Sequence, residues 1–539
     1  MINNTWTKYF ALIFLGYAIL SGDSNAAGHE TLPTYHWAYQ YIDQLYLRIN
    51  NHSTVKVPPL FILNKPYTRD DVARWLGHVR KAVITGQISF EPKSEFLLNR
   101  LYQEFGVEMA VLKTDDPGDK LGLSCSLSPQ AELASDQPFD VNGQYRVSAS
   151  LAVGNWLTMA TTINNNRSLR DDSLYWGKKK WGQTAYSEQG YARLHWRQFE
   201  MRFGRDFIKW GPGETGQLLL SDYGRPLDFF GFSAQLKKIK LTYFFANLKH
   251  RPLDNFLKPQ YDGLYANRYI AAHRLDSHWL NGRLHIGLTE AVLFGGPARN
   301  VEFAYANPFI TYFGAVENDQ QSYINGGNGN LFADFDIKLY LCQNIAFWAE
   351  ILVDDLQVDR GNAGDLEPPE WGLLFGGQLA DLFGWLGSDF WLEYVRITNR
   401  TYNAYVSWER WVNCNQPIGH YLGNDFDRWE ARLSYWLNPC LRFHLGVVRL
   451  RRGEGRVEKP FDTPWMDRTL DEGYREPFPT GIVEKNIEVP CSLVFQPNAQ
   501  FWLSLGMKYI RIQNVENKFG ERQQDWRFTI DAWFEWKTR

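Results

Sequence analysis

The stretch Trp526–Phe534, WRFTIDAWF, alternates strictly between apolar side chains and a second set that is mostly polar. Successive side chains of a β-strand point to opposite faces, so a period of two separates these sets onto two faces. One face is apolar and aromatic, and the other carries charge. A strand of this kind fits either a soluble β-sandwich or a membrane β-barrel.

The same alternation recurs through most of the chain. Runs at Leu441–Val447 and Phe501–Ile510 repeat it, and we predict further strands at Gln144–Val153, Tyr191–Trp196, Phe199–Gly204, Leu236–Phe245, Leu284–Val292, Phe332–Leu341, Ile345–Val353, Phe390–Ile397 and Trp429–Leu437. With weaker candidates in the gaps, runs of about 10 residues give a total of some 16 to 18 strands.

The second face of these strands carries charges of both signs. The residues are Glu350, Glu430, Arg432, Arg442, His444, Lys508, Arg527 and Asp531. Such charges are costly in a dry sandwich core and ordinary in a wet barrel lumen. They would also be tolerated on the solvent side of a sandwich, so the pattern favours a barrel without excluding the alternative.

Connection lengths also favour a barrel. Residues 342–344 and 438–440 form short turns, whereas long polar stretches cover 164–189, 317–330, 359–369 and 452–485. Short turns that alternate with long loops are typical of outer-membrane barrels.

The N-terminus predicts export. Lys8 precedes a short apolar run, Phe10–Leu20, and small residues follow at Ser24-Asn25-Ala26. This order describes a signal peptide over residues 1–26, with a buried N-terminal helix as the alternative. The run is shorter than the roughly 20 residues that a spanning helix needs. No later segment is long and apolar enough, so we expect any membrane insertion to use strands.

The amino-acid composition limits the classes of function that fit this chain. Aromatic residues make up 16% of the chain, with 22 Trp and 28 Tyr, while the mean hydropathy is only -0.40. Membrane barrels and carbohydrate-binding proteins share this profile. The 57 basic and 60 acidic residues give a net charge of -3, which gives no case for nucleic-acid binding.

Five cysteines are present, at positions 125, 342, 414, 440 and 491, and no two have CxxC spacing. We expect one or two disulfides in an oxidising compartment, with Cys414–Cys440 chosen on proximity alone. No zinc pattern is present, and we predict no metal and no cofactor.

Residues 27–117 are predicted to form a small helical head. Thr34 is the expected N-cap of a first helix that runs to Ile49, and Thr68-Arg69-Asp70-Asp71 resembles a capping box for a second. A third helix is expected over Ser94–Phe105, with Gly106 as its stop. After a linker around residues 113–120, residues 118–539 are assigned to the barrel.

The most distinctive segment runs from Arg202 through RFGRDFIKWGPG to Gly213, then ETGQLLLS to Ser221. Gly-Pro-Gly indicates a tight turn, and Trp210 offers a flat face that can stack on a sugar or pack on a barrel wall. The glycines do not fit a phosphate loop, because no GKS or GKT follows. We also find no GxSxG and no HExxH motif.

This segment resembles the R-x-G-R…W-G-P-G…LLLS…P-x-D signature of the capsule assembly Wzi family. Other pieces agree in order: Glu290 ahead of Asn307-Pro308, Glu350 with Asp354-Asp355, and Gly419–Asp425 with Arg428. The head residues His36–Tyr39 and Lys65–Thr68 are also similar. The sequence departs from the family where Leu422-Gly423 follows Gly419-His420, and at Lys65, where Arg is expected.

The resemblance implies an outer-membrane barrel of about 18 strands, with a helical bundle that blocks one end. It also implies a lectin that holds capsular polysaccharide at the cell surface, and not an enzyme. We therefore predict a mainly β protein: a transmembrane antiparallel outer-membrane β-barrel with a small N-terminal α-helical unit.

We predict that this barrel binds and anchors capsular or other surface polysaccharide without catalysis. The expected partners are the glycan, outer-membrane lipid and polysaccharide-export machinery. Candidate glycan-binding residues are Arg205, Trp210, Asp354 and Asp355, through aromatic stacking and charged hydrogen bonds. The alternatives are a porin or glycan-export channel and, below it, a hydrolase that uses Glu350, Asp354 or Asp355.

Overall fold

Eighteen long strands of one antiparallel sheet close into a barrel. The structure is a computed structural model that describes residues 29–49, 57–88, 90, 92–112, 120–134, 140–170, 175, 177–179, 184–254, 265–316, 329–358 and 361–538. The predicted signal peptide, most of the linker and most of the stretch 317–330 lie outside these residues.

The barrel strands follow the chain in order around the ring. They are β1 Lys120–Ala134, β2 Asp140–Val153, β3 Leu157–Asn166, β4 Ala185–Trp196, β5 Phe199–Asp206, β6 Leu227–Leu236, β7 Ile239–Asn247, β8 Tyr265–Trp279, β9 Leu284–Gly296, β10 Asn330–Cys342, β11 Ile345–Asp355, β12 Glu370–Ala380, β13 Ser388–Ile397, β14 Phe426–Asn438, β15 Leu441–Arg452, β16 Glu484–Asn498, β17 Phe501–Gln513 and β18 Arg522–Lys537. The prediction of 16 to 18 strands is confirmed.

The ring closes where the first strand pairs with the last. Leu127 of β1 lies opposite Phe534 of β18, and Leu133 lies opposite Phe528. Each other strand pairs antiparallel with its neighbours in sequence, as Trp526 of β18 does with Tyr509 of β17. A closed ring leaves no open strand edge, which is the condition for placing a sheet in hydrocarbon.

The alternation read from the sequence separates the outside of the barrel from its lumen. On β18, the outward side chains of Trp526, Phe528, Ile530 and Phe534 are 45 to 51% exposed. The inward set includes Glu430 of β14 and Arg442 of β15, which are buried. The barrel therefore presents an apolar belt to lipid and keeps its charges inside, as predicted for an outer-membrane protein.

Among the helices in the described part of the chain, none is long and apolar enough to cross a membrane.

The two ends of the barrel differ in their connections. Turns of two to seven residues join β2 to β3, β4 to β5 and so on to β16 and β17, while the connections at the other end are mostly longer. We call these the short-turn end and the long-loop end. Barrels of this class place short turns in the periplasm and long loops outside.

The described residues of the helical head form four helices, α1 Ala38–Ile49, α2 Arg69–Ile84, α3 Pro92–Glu104 and α4 Gly106–Val111. The capping box at the start of α2 is confirmed, because Thr68 accepts from Asp71 N and the Asp71 carboxylate accepts from Thr68 N. Two predicted boundaries are wrong. The first helix begins at Ala38, with Thr34 in a preceding turn, and Gly106 starts α4 instead of ending the chain's helical run.

The head lies in the short-turn end of the barrel. Trp37 donates to Ala499 O at 3.1 Å in one turn, and Arg48 pairs with Asp381 at 3.4 Å in another. The head's apolar core continues onto the wall at Tyr340, Ala346, Ala380 and Trp436. Burial of a large apolar side chain contributes about 1.5–3 kcal/mol, so a core shared by the head and the wall makes them one packed unit.

A buried charge cluster fixes α3 against the end of β18. Glu104 is 4% exposed and accepts from Lys537 Nζ at 2.6 Å and from Arg69 Nη1 at 2.9 Å, with His36 Nε2 at 3.7 Å. Burial alone would raise the pKa of Glu104, but Lys537 and Arg69 outweigh it and hold that pKa well below its usual range. Burial lowers the pKa of His36 to about 3, so its ring is neutral at pH 7.

Three other sequence predictions are corrected. The strand predicted at Leu236–Phe245 crosses a turn, because β6 ends at Leu236 and β7 begins at Ile239. The polar stretch 164–189 contributes its two ends to β3 and β4. The predicted Cys414–Cys440 disulfide is wrong, since all five thiols are free. Cys440 lies in a short turn and Cys414 in a long loop, so β14 separates them along the barrel axis.

We expect the stability of the folded protein to fall as the pH is lowered from about 6.5 to about 3. The unfolded chain protonates His36 below about 6.5, whereas the folded protein resists protonation until about 3. Glu104 adds a loss of the same sign once the pH falls below its ordinary range, near 4.5. Thermal unfolding in detergent between pH 7.5 and pH 4 measures the effect.

His36→Gln should make the upper half of this pH profile less steep, because it removes one of several buried histidine rings, of which His420 also has a pKa lowered to about 3. His78→Gln is the matched control, since His78 is exposed on α2. An unchanged profile in His36→Gln would contradict the assignment.

Ile530→Arg should destabilise the barrel in lipid by about 2–4 kcal/mol, because Ile530 faces outward about halfway along β18. Gln130→Arg is the control, since Gln130 lines the polar lumen on the adjacent β1. Urea unfolding in phosphatidylcholine vesicles, followed by tryptophan fluorescence, measures both. Equal stabilities of the two variants would argue against the lipid-facing assignment.

Candidate functional site

The connection between β5 and β6, residues 207–226, folds into the lumen, and we call it the inner loop. Its residues Lys209–Trp210 pair as a short strand with Asn64–Lys65 of the head. Gly211 N donates to Leu63 O at 2.9 Å. The inner loop and the head therefore meet inside the barrel from opposite ends.

Asn64 joins three parts of the molecule at this meeting point. Its Nδ2 donates to Asp276 of the wall at 2.8 Å, and its Oδ1 accepts from Trp210 Nε1 at 3.2 Å. Asp276 in turn accepts from Arg274, which also makes a two-pronged pair with Asp336 at 2.6 and 2.9 Å. Head, inner loop and wall share one hydrogen-bonded network.

The leucines of the LLLS motif seal the middle of the lumen. Leu218, Leu219 and Leu220 are at most 1% exposed. They pack on wall and loop residues that form a second apolar core, which includes Phe332, Leu352, Leu374, Val395, Ile397, Tyr402 and Trp411. An apolar core inside a barrel lumen excludes water from that part of the cross-section.

Two wall carboxylates hold the inner loop by its backbone. Glu350 Oε1 accepts from Leu218 N at 2.7 Å. Glu393 accepts from Thr215 N at 2.9 Å and from Glu214 N at 3.1 Å, and also from Trp348 Nε1 at 2.8 Å. These carboxyl oxygens satisfy buried backbone N–H groups that would otherwise lack a partner. Glu350 is 0% exposed, so its carboxylate serves the loop and has no open face.

A second long connection, residues 398–425, covers the inner loop, and we call it the capping loop. Trp411 Nε1 donates to Leu219 O at 2.8 Å, and Ser221 N donates to Ile418 O at 2.9 Å. Burial, and then the nearby Arg428, lower the pKa of His420 in this loop to about 3. His420 is therefore neutral at pH 7 and acts as packing and as an acceptor for Leu422 N at 3.2 Å.

Trp210 is 2% exposed in the structure. Its indole donates to Asn64, lies edge-on to Phe244 at 5.4 Å and has the Arg274 guanidinium 5.7 Å from its ring centroid. It therefore anchors the inner loop to the head and wall. Glycan binding by Trp210 stays a prediction, and it requires this packing to open.

Arg205 lies on the outer face of β5 near the long-loop end. It makes a two-pronged pair with Asp228 at 2.7 and 2.6 Å, and its third contact is Ser187 O at 3.1 Å. Both charged side chains remain partly exposed, at 31% and 53%. Arg205 is accessible, yet it faces away from the lumen that Trp210 occupies.

Asp354 and Asp355 lie at the end of β11, where a bulge shifts the register between β11 and β12. The Asp354 Oδ2 accepts from Tyr402 N at 2.6 Å and so positions the capping loop. Asp355 is exposed and lies opposite Glu370 of β12. Since β5 and β11 are six strands apart in the ring, the structure does not gather the four predicted residues into one site.

Within the described ranges, no group of three or more His, Cys, Asp or Glu side chains is arranged to hold a metal ion.

The lumen keeps a cavity of about 660 Å³ beside the closing strands, which we call the inner cavity. It lies between the head and the wall formed by β1–β3, β17 and β18. Its hydroxyl-bearing lining includes Ser124, Ser126, Ser128, Ser148, Ser150, Thr162 and Ser504. The strands predicted from the sequence did not include β1 of this wall, although the spacing of two at Ser124, Ser126 and Ser128 is a signal for it.

A smaller space of about 320 Å³, the outer cavity, lies toward the long-loop end. Tyr35, Gln144 and Arg146 line both cavities. Arg146 pairs with Glu188 at 2.8 Å and stacks over the Tyr35 ring at 4.1 Å. This cluster separates the two cavities, and no sequence motif indicated it.

Comparisons with known proteins agree with this geometry. A family model described as capsule assembly protein Wzi matches residues 121–525. The fold is similar to that of Escherichia coli Wzi, an outer membrane protein described as a carbohydrate-binding β-barrel involved in group 1 capsule assembly, with a TM-score of 0.58 and 14% identity over 94% of this chain and 99% of that one.

Pseudomonas aeruginosa OprD is 12% identical over 79% of this chain and 98% of its own, and OpdK from the same organism is 10% identical over 78% and 99%. Their TM-scores are 0.42 and 0.43. No curated protein matches the chain.

Gly211→Ala should destabilise the inner loop by about 1–3 kcal/mol. Gly211 has φ near 113°, which side chains rarely adopt, and an added Cβ would lie 2.7 Å from Glu350 Oε2. Gly190→Ala on β4 is the control, because nothing lies within 4 Å of its added Cβ. Thermal unfolding and limited proteolysis of the inner loop should separate the two; matching behaviour would contradict the packing described above.

Proposed function

Because this chain belongs to the capsule assembly Wzi family, we propose that it binds and anchors capsular or other surface polysaccharide at the outer membrane, as a lectin and not as an enzyme. The observation that carries the proposal is the filled lumen. The head occupies the short-turn end, the inner loop occupies the centre, and the two are bonded through Asn64. The described part of the long-loop end is thereby supported from within the barrel.

The filled lumen favours anchoring over transport. A porin keeps an aqueous path through its barrel. Here Leu218, Leu219 and Leu220 form a dry core in the centre of the lumen, and two wall carboxyl groups bond this core to the barrel. The remaining inner cavity lies to one side, between the head and the wall of β1–β3, β17 and β18.

The carboxylates of the hydrolase alternative have structural roles. Glu350 is enclosed and accepts from the inner loop, and Asp354 accepts from the capping loop. Asp355 is exposed at the end of β11. A glycosidase needs two free carboxyl groups about 5–9 Å apart on either side of a substrate, whereas Glu350 and Asp354 are engaged by backbone N–H groups of the two loops.

The long-loop end carries side chains suited to sugars. Tyr223, which is 48% exposed, and Tyr421 have ring centroids 5.6 Å apart. Aromatic faces stack on the apolar faces of sugar rings while charged side chains bind hydroxyls. Arg205 and Asp355 are accessible for such contacts, whereas Trp210 and Asp354 would bind glycan only after a rearrangement.

Two further partners belong to the proposal. The apolar belt suits outer-membrane lipid. Polysaccharide-export machinery would deliver the glycan to the long-loop end, since that is the face turned away from the cell.

Deleting the protein from a capsule-forming host should move surface polysaccharide from the cells into the medium without changing its total amount. Uronic-acid or total-sugar assays of the cell pellet and supernatant measure this. Restoring the full chain should return the glycan to the cells. Cell-bound polysaccharide that stays unchanged after deletion would contradict the proposal, as would a steady open-pore conductance of the purified protein in planar bilayers.

A further inference from the structure

The outer cavity has the lining of a ligand site. Its volume of about 320 Å³ is within the lower range of small-molecule sites, about 300–1,000 Å³. It lies between the long-loop ends of β3 and β4 on one side and the last residues of the inner loop on the other. It is therefore open to a ligand that arrives from the long-loop end.

Arg225, from the inner loop, is stacked between two tyrosines of this cavity. Its guanidinium carbon lies 4.7 Å from the Tyr175 ring centroid and 4.8 Å from that of Tyr186. Its Nη2 is buried and has no hydrogen-bond partner in the described part of the chain. A guanidinium that is stacked but not hydrogen-bonded keeps its in-plane donors for a ligand.

The acidic groups around this cavity already have cationic partners. Glu188 pairs with Arg146 at 2.8 Å, and Asp222 pairs with Lys209 at 3.0 Å. Burial works against it, but Lys209 keeps the pKa of Asp222 below its usual range. With those pairs neutralised, Arg225 gives the described lining a net positive charge, so the cavity favours an anion.

Asn164 supplies an independent sign of a ligand. It is 1% exposed and lines the cavity, and its Oδ1 has no partner among the described residues. Its Nδ2 donates to Glu188 Oε1 at 2.7 Å, which fixes the orientation of the amide. A buried acceptor without a partner is unfavourable, and a sugar hydroxyl that donated to it would remove that cost.

We propose that the outer cavity binds an acidic sugar residue, with its carboxylate on Arg225 and a hydroxyl on Asn164. The inference rests on the proposed polysaccharide-binding function and assigns its chemistry. A carboxylate fits because a guanidinium binds it with two parallel hydrogen bonds. The tyrosine faces and amides around it suit a sugar ring, which a free inorganic anion would leave without contacts.

The test measures binding of the full-length protein, in detergent, to surface polysaccharide purified from its host. The glycan is used intact and after carbodiimide–borohydride reduction of its carboxyl groups to alcohols. We expect Arg225→Gln to bind the intact glycan at least about tenfold more weakly than the wild type, because a charged hydrogen bond is lost. Carboxyl reduction should weaken wild-type binding by a similar factor and should not further weaken Arg225→Gln.

Arg468→Gln is the matched control, since Arg468 is exposed at the same end of the barrel on the loop between β15 and β16. It makes the same change of charge and should bind as the wild type does. Asn164→Leu gives a second readout and should weaken binding of intact and reduced glycan alike, because it removes a hydroxyl contact.

The possible failures are distinguishable. A wild type that binds neither form of the glycan overturns the proposed function itself. Binding that is equal for the wild type and Arg225→Gln, or equal for intact and reduced glycan, overturns the acidic-sugar site and leaves the lectin function standing. Competition by inorganic phosphate as strong as by the intact glycan would also overturn it, since the cavity would then be a simple anion site.

Discussion

A polypeptide in hydrocarbon has no water to satisfy its backbone N–H and C=O groups, and each unpaired group costs several kcal/mol. In this protein the pairing of β1 with β18 removes the last open edge. The alternation of outward apolar and inward polar residues follows from that closure, because each strand then has one face in lipid and one in the lumen. The lumen therefore contains many charged side chains, and these need partners.

Polar and charged side chains of the wall hold the inner loop and the head in the lumen through hydrogen bonds. Glu350 and Glu393 accept from backbone N–H groups of the inner loop, and the Arg274 network reaches the head through Asp276 and Asn64. A buried charge is tolerated when it is paired and hydrogen-bonded. Polar wall residues thus hold an apolar core of leucines in the centre of a polar lumen.

Local patterns predicted the fold well and the site poorly, for a physical reason. Strand alternation and the Thr68 capping box depend on residues a few positions apart, so both could be read from the chain. The burial of Trp210 depends on Asn64, which is far away in sequence. Successive side chains of a strand face opposite sides of the barrel wall. An odd spacing, as between Arg202 and Arg205, therefore places one side chain toward the lumen and the other toward the outside. Cys414 and Cys440 were close in sequence but lie on different ends of the barrel.

Lys537 belongs to the strand that closes the ring, and it also bonds Glu104 of the head. The adjacent Thr538 exchanges hydrogen bonds with Leu123 of β1, at 3.0 Å in each direction. The head, which precedes the barrel strands in the chain, is therefore bonded to the strand that follows all the others. The contact between Glu104 and Lys537 cannot form until β18 is in place. Closure of the barrel and complete docking of this side of the head are thereby coupled.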